Sequence, residues 1–112
     1  MIKPCIIIPN YNHGDMIHNT LLALETHHLP CIIVDDGSDK KTKQQLEISK
    51  KQFPWVFLVT RPTNEGKGAA VLTGLNEAIN QHYTHAIQID ADGQHNPNDI
   101  SKFLTAFTLD AK

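Results

Sequence analysis

The sequence lacks an apolar run that approaches the roughly 20 residues a membrane-spanning helix needs. Runs such as Cys5-Ile6-Ile7-Ile8 and Cys31-Ile32-Ile33-Val34 are strand-sized instead. Met1-Ile2-Lys3-Pro4 is not the charged start and long apolar stretch of a secretory signal, so a cytoplasmic protein is expected. There are only two cysteines, Cys5 and Cys31, with no CxxC spacing, and both sit inside apolar runs. Buried thiols in a reducing compartment follow, rather than a disulfide or a zinc site. With a formal charge of −2 there is no basic stripe to neutralise a phosphate backbone, which excludes nucleic acid as the main partner. The seven histidines add a pH dependence: protonating all of them would move the charge from −2 to −2 + 7 = +5. Four catalytic signatures are also missing. Without GxxxxGK[ST] and without GxGxxG after the first strand, ATPase and nicotinamide-dehydrogenase chemistry lose support. Without HExxH or GxSxG, zinc-protease and serine-hydrolase chemistry do too.

What the chain does contain is one core's worth of apolar sequence, 40% of 112 residues, in an alternation of β-branched runs and amphipathic stretches. Area scaling lets such a chain bury about two thirds of its surface as one domain, residues 1–112. The alternation predicts βα units feeding a mainly parallel sheet of about four strands with helices on both faces, a Rossmann-like α/β sandwich. Strands are predicted at 5–8, 31–34, 55–60 and 86–89. Helices are predicted from an Asp15 N-cap to about His27-His28, over 42–52, over 68–80, and onward from Pro97. The periodicity turns Ile17, Leu21 and Leu24 inward on the first helix, and Leu46 and Ile48 on the second, with Lys40, Lys41, Lys43, Lys50 and Lys51 in solvent. It turns Val71, Leu72, Leu75 and Ile79 inward on the third, and Ile100, Phe103, Leu104 and Phe107 on the last.

In an open parallel sheet, ligands bind where loops leave the carboxyl ends of the strands. Those loops hold the residues that carry chemistry. Asp90-Ala91-Asp92-Gly93-Gln94 places alternate carboxylates at a strand mouth, which is either a turn cluster or a pair of hard oxygen ligands for Mg²⁺ or Mn²⁺. Asp35-Asp36 can accept from ribose hydroxyls or a base N–H, or lie beside a helix capped by Ser38 or Asp39. Tyr11 offers a stacking face or packs on the sheet edge. Asn64-Glu65-Gly66-Lys67-Gly68 brings backbone N–H groups and an ammonium to a helix start, an arrangement suited to a diphosphate. His95, beside the carboxylates, is a ligand, a proton carrier or an acceptor-side contact; the other histidines are read as surface or cap residues.

Four motifs in order, Ile8-Pro9-Asn10-Tyr11-Asn12, Val34-Asp35-Asp36-Gly37-Ser38, Asn64-Glu65-Gly66-Lys67-Gly68-Ala69-Ala70 and Asp90-Ala91-Asp92-Gly93-Gln94-His95, resemble the donor-binding part of family 2 glycosyltransferases with the GT-A fold. The last motif is most similar to the dolichol-phosphate mannose synthase and polyprenyl-phosphate sugar transferase branch. The resemblance implies transfer of a sugar from a UDP- or GDP-linked donor to an acceptor, with polyprenyl phosphate an expected one. It implies that Pro9, Tyr11 and Asn12 border the nucleobase, that Asp35 and Asp36 contact base or ribose, and that Gly66 and Lys67 lie near the diphosphate. Asp90, Ala91, Asp92 and Gln94 would then meet the donor, with Asp90, Asp92 and Gln94 holding Mn²⁺ or Mg²⁺. Complete family domains continue into further strands and helices that carry the acceptor site and the catalytic base. The resemblance thus implies a GT-A fold truncated after its nucleotide-sugar-binding half, with an exposed sheet edge that favours self-association, and, in a longer protein, a peripheral place at the cytoplasmic membrane face.

Three other readings compete. A nucleotidyltransferase would place a glycine-rich basic loop after the first strand, where Pro9-Asn10-Tyr11-Asn12 stands. A receiver-type phosphoacceptor would place its acidic pair there, whereas the acidic pairs here follow the second and fourth strands. A non-catalytic nucleotide-binding α/β module remains the plain alternative.

Overall fold

The structure, a computed structural model, describes residues 2–12 and 14–90, together with the backbone of residues 106–108. The β-branched runs become β1 (Pro4–Asn10), β2 (Cys31–Asp36), β3 (Val56–Arg61) and β4 (His85–Gln88), and β5 (Ala106–Thr108) completes one sheet in the order β3-β2-β1-β4-β5. The first four strands are parallel and β5 is antiparallel to β4. Phe107 was expected on the last helix; it lies instead on β5, across from Ala86. The rest of that predicted helix falls outside the described residues. On the β4 side the sheet thus extends by β5 beyond the four predicted strands.

Side chains alternate between the two faces of the central strands, and both faces are covered, which is why these strands read as unbroken apolar runs. On one face, α1 (Gly14–Leu24) and α2 (Lys40–Gln52) pack Ile17, Leu21, Leu24 and Leu46 against Ile6, Ile8, Cys31 and Ile33. On the other, α3 (Lys67–Asn80) packs Ala70 and Ala78 against Cys5, Ile7, Ile32 and Val34. Cys5 and Cys31 thus sit on opposite faces of adjacent strands, as free and fully buried thiols.

Two helix faces and one helix start differ from the periodicity reading. In α3 the inward stripe is Ala70, Gly74 and Ala78, while Leu72 (59%) and Ile79 (37%) are exposed. Small residues let the helix backbone descend onto β1 and β2, and the large ones are displaced to its flanks, where Leu75 still touches the core. In α2 the inward residues are Thr42, Leu46 and Ser49, and Ile48 faces solvent. Asp15 lies inside the first turn of α1 rather than capping it, and there it accepts a hydrogen bond from Gln45 Nε2 at 2.9 Å.

The strand order changes direction between β1 and β4, the point at which open α/β sheets form a ligand crevice. Pro9 sharpens it. Ile6 N donates toward the β2 side, to Pro30 O, and Ile7 O accepts from Ile89 N on the β4 side. By the same alternation position 9 faces β4, but proline has no N–H to give. The β1–β4 pairing accordingly ends at Ile7 and Gln88, while β1 continues beside β2 to Asn10 and Asp35. The two strands part at their carboxyl ends, beneath the loops that carry the motifs.

Candidate functional site

Each loop at this end of the sheet is tied to its neighbour. After β1, Asn12 takes a left-handed conformation (φ 58°), its N–H donates to Ser38 Oγ at 2.9 Å, and its Oδ1 accepts from Asp39 N at 2.8 Å. Asp39 caps α2 by accepting from Thr42 N at 2.8 Å. These hydrogen bonds stabilise the charged carboxylate and hold its pKa below the usual 3.8. Asp35 is buried; its Oδ1 accepts from Ser38 N at 3.0 Å and its Oδ2 from Lys43 Nζ at 2.9 Å. Lys43 was expected to be merely solvated. It is the counter-ion that makes a buried Asp35 tolerable.

Asp36 is buried as well, and it turns toward the next loop. Oδ1 accepts from Arg61 Nε at 3.0 Å and from Glu65 N at 3.2 Å, and Oδ2 accepts from Gly66 N at 2.9 Å. Arg61 stands directly across from Asp36 in the β2–β3 register. Its other guanidinium nitrogens reach Ala69 O at 3.3 Å, the hydroxyl of Thr73, and the Glu65 carboxylate. Gly66 adopts φ 103°, a conformation side chains rarely take, and leads into α3 without a side-chain cap. Lys67, the first residue of α3, pairs with Asp90 Oδ1 at 2.6 Å, so the ammonium of the glycine loop and the first carboxylate of the acidic motif already meet. Gln88 Nε2 lies 3.5 Å from the same oxygen.

Of the residues expected at the site, Pro9 lies near the end of β1, Asn12 in the loop just after it, and Tyr11, between them, is 43% exposed. Asp36 and Gly66 are joined directly, as are Lys67 and Asp90. Asp35 serves the β1 and α2 side of the cluster. Ala91, Asp92, Gln94 and His95 lie outside the described residues. Among the described residues no three His, Cys, Asp or Glu side chains converge as a metal site, and Asp90 alone of the expected ligands is placed, as a hard, partly exposed carboxylate oxygen donor at the crevice.

The acids and glycines stand out in the sequence, and Ser38 and Glu65 only as a cap and a motif member, whereas Arg61 and Thr73 have no expected role there. A signal existed for Arg61: two adjacent acids ending a buried strand require cations, and aligning the apolar run before Asp36 with the run before Arg61 puts the two side by side. An apolar hollow lined by Leu29, Pro30 and Trp55 lies before β2 and β3, at the opposite end of the sheet from these loops.

Residues 5–112 match the family model described as glycosyl transferase family 2. The chain is 37% identical over 120 residues to a UDP-N-acetylglucosamine–dolichyl-phosphate N-acetylglucosaminyltransferase of Methanococcus voltae, covering 96% of this chain and 48% of that protein. It is 31% identical over 109 residues to a polyprenol monophosphomannose synthase of Mycolicibacterium smegmatis, covering 93% of this chain and 40% of that one. Its fold is similar to a mannosyltransferase from Pyrobaculum calidifontis solved in complex with GDP-Man and Mn²⁺, with a TM-score of 0.72 at 22% identity over 92% of this chain and 32% of the other. The chain spans about half or less of the length of these curated relatives. With its four motifs in order, its α/β sheet with the crevice at β1 and β4, and a family match over nearly its whole length, the chain belongs to glycosyl transferase family 2.

Proposed function

We propose that this chain is the donor-binding half of a metal-dependent glycosyltransferase that takes a UDP- or GDP-linked sugar and passes the sugar to a polyprenyl phosphate. The observation that carries this reading is the set of ties among the motif residues described, Asn12 to Ser38 and Asp39, Asp36 to Gly66, and Lys67 to Asp90, at the carboxyl end of the sheet in a chain of a glycosyltransferase family. Support for the acceptor comes from the relatives, named for dolichyl phosphate and polyprenol. Support for the donor class and the metal comes from the similarly folded mannosyltransferase, solved with GDP-Man and Mn²⁺.

In this reading Pro9, Tyr11 and Asn12 border the base, with Asp35 and Asp36 shaping the pocket beneath it. Lys67 presents an ammonium toward the diphosphate, and Gly66, its N–H held by Asp36, sets the course of the loop beside it. Asp90, Asp92 and Gln94 hold Mn²⁺ or Mg²⁺, with Ala91 against the donor. The bound cation would neutralise the charge that accumulates on the departing diphosphate. Lys67 does part of the same work without a metal: it spans from Asp90 to the open side of the glycine loop, and thus balances charge on either. The acceptor site and catalytic base belong to the remaining length that the relatives possess. Among the described residues no helix is long and apolar enough to cross a membrane, and we place the enzyme peripherally at the cytoplasmic membrane face. Association between copies through a sheet edge belongs to the same proposal, and light scattering measures it.

Calorimetric titration of UDP and GDP, with Mn²⁺ and again with chelator, tests the reading. Expected is metal-dependent binding that Asp92→Asn weakens by at least about tenfold, the effect of losing one charged ligand. A folded sample that binds neither nucleotide would instead favour a module without donor function.

A further inference from the structure

We propose that Arg61 is the positioning residue of the donor site, a part that rests on the donor-site reading above. A single guanidinium joins the end of β2 through Asp36, the glycine loop through Glu65, and the first two turns of α3 through Ala69 O and Thr73. Side-chain packing does not hold the glycine end of the loop: residues 62–68 are exposed, and a Cβ added at Gly66 or Gly68 would meet nothing within 4 Å. Hydrogen bonds hold it. Asp36 fixes the N–H groups of Glu65 and Gly66, and Arg61 fixes Asp36. Arg61 is 17% exposed and lies between two carboxylates, so its charge is already balanced and does not face an incoming anion. It acts through the path of the loop at Glu65 and Gly66, setting where the Lys67 ammonium at the start of α3 stands.

A lysine at position 61 keeps the charge but not the planar fork, and one ammonium cannot serve Asp36, Glu65 and the α3 backbone together. Arg61→Lys therefore separates positioning from charge. The test measures UDP and GDP affinity with Mn²⁺ for the wild type, Arg61→Lys, Lys67→Met and the double variant, with amide hydrogen exchange on the nucleotide-free proteins. Arg61→Lys is expected to weaken nucleotide binding by about tenfold, the scale of one charge-assisted contact misplaced. Lys67→Met should cost about tenfold in the wild type and less than about threefold in the Arg61→Lys background, because a displaced Lys67 has less to lose. Exchange at Glu65 and Gly66 should quicken while that at Ile7 and Ile33 stays unchanged, which a general loss of stability would not produce. Thr73→Val removes one partner of the guanidinium without touching Asp36. It should show the same pattern with an affinity loss of about threefold, and it carries the test if Arg61→Lys does not fold. Equal Lys67→Met effects in the two backgrounds would overturn the positioning role while leaving the donor site intact. A folded wild type that binds neither nucleotide would overturn both.

Discussion

Gly37 sits at φ 73°, and a Cβ there would lie 2.4 Å from Asn64 N and 2.5 Å from Thr63 C. The loops after β2 and β3 thus approach more closely than any side chain permits, the same approach that lets Asp36 reach the Glu65 and Gly66 N–H groups. Gly37→Ala combines a strained backbone with a backbone clash, and a loss of about 2–4 kcal/mol is expected from urea unfolding. A loss under about 1 kcal/mol would show that the loops separate at little cost. Asp39 makes a different prediction. Its pKa is lowered in the fold by the Thr42 hydrogen bonds, so its contribution is complete above the usual 3.8 and disappears as pH falls below it. Asp39→Asn keeps a capping oxygen and should flatten the decline of the urea midpoint between about pH 5 and pH 2. At this scale the sequence was legible in part. Val34-Asp35-Asp36-Gly37-Ser38-Asp39 declares a turn and a cap from its composition. The partners that each acid takes, Lys43 from α2 for Asp35 and Arg61 across the β2–β3 register for Asp36, depend on tertiary placement, which composition does not carry.

The α3 helix shows why element faces are harder to read than element positions. Its limits, Lys67–Asn80, fall within a residue of the periodicity reading, because Gly66 and the residues after Asn80 punctuate the sequence. Its buried face was misassigned because counting large apolar residues favours Leu72 and Ile79, whereas close contact with a flat sheet favours Ala70, Gly74 and Ala78. A Cβ at Gly74 would lie 2.6 Å from Ile7 Cγ2 and 3.2 Å from Val34 Cγ2. Alanine is the better helix former by about 1 kcal/mol. Against that stands an overpacking cost of about 1–3 kcal/mol, since both neighbours are fully buried β-branched residues with no room to yield. Gly74→Ala is therefore expected to lower the thermal midpoint, and Leu72→Ala on the exposed flank to change it little. A Gly74→Ala protein more stable than the wild type would show that α3 rides higher on the sheet than this packing requires.

Across the whole molecule, the alternation of elements made the α/β class and the crevice end of the sheet legible, since four chemically suggestive clusters each follow a strand. What remained unreadable was the antiparallel β5, because three residues give no periodicity and their pairing with β4 is a property of the assembled sheet. The sealed core has a measurable signature at high pH. Burial pushes the Cys5 thiol up from the usual 9.0 to about 11, and burial together with nearby Cys5 pushes Cys31 higher still. Raised values mean that the fold favours the neutral thiols. Their contribution is whole below pH 9 and declines as pH climbs from about 9 toward 11, where the unfolded chain ionises and the folded one does not. The urea midpoint should fall over that window, and less steeply in a Cys5→Ala, Cys31→Ala double variant. Equal slopes would mean that other groups, Tyr83 among them, dominate.

The placement of β1 at the middle of the sheet also sets a timetable. Its pairing with β2 joins residues 25 apart, Ile6 with Cys31, but its pairing with β4 joins residues 81 apart, Cys5 with Ala86. At a synthesis rate of about 5–20 residues per second, the segment Cys5-Ile6-Ile7-Ile8 waits roughly 4–16 s after its own emergence before the strand that closes its second edge exists. During that interval the nascent chain carries a half-covered, strongly apolar strand, and anything that binds extended apolar segments, a chaperone or another nascent copy, competes with β4 for the same edge.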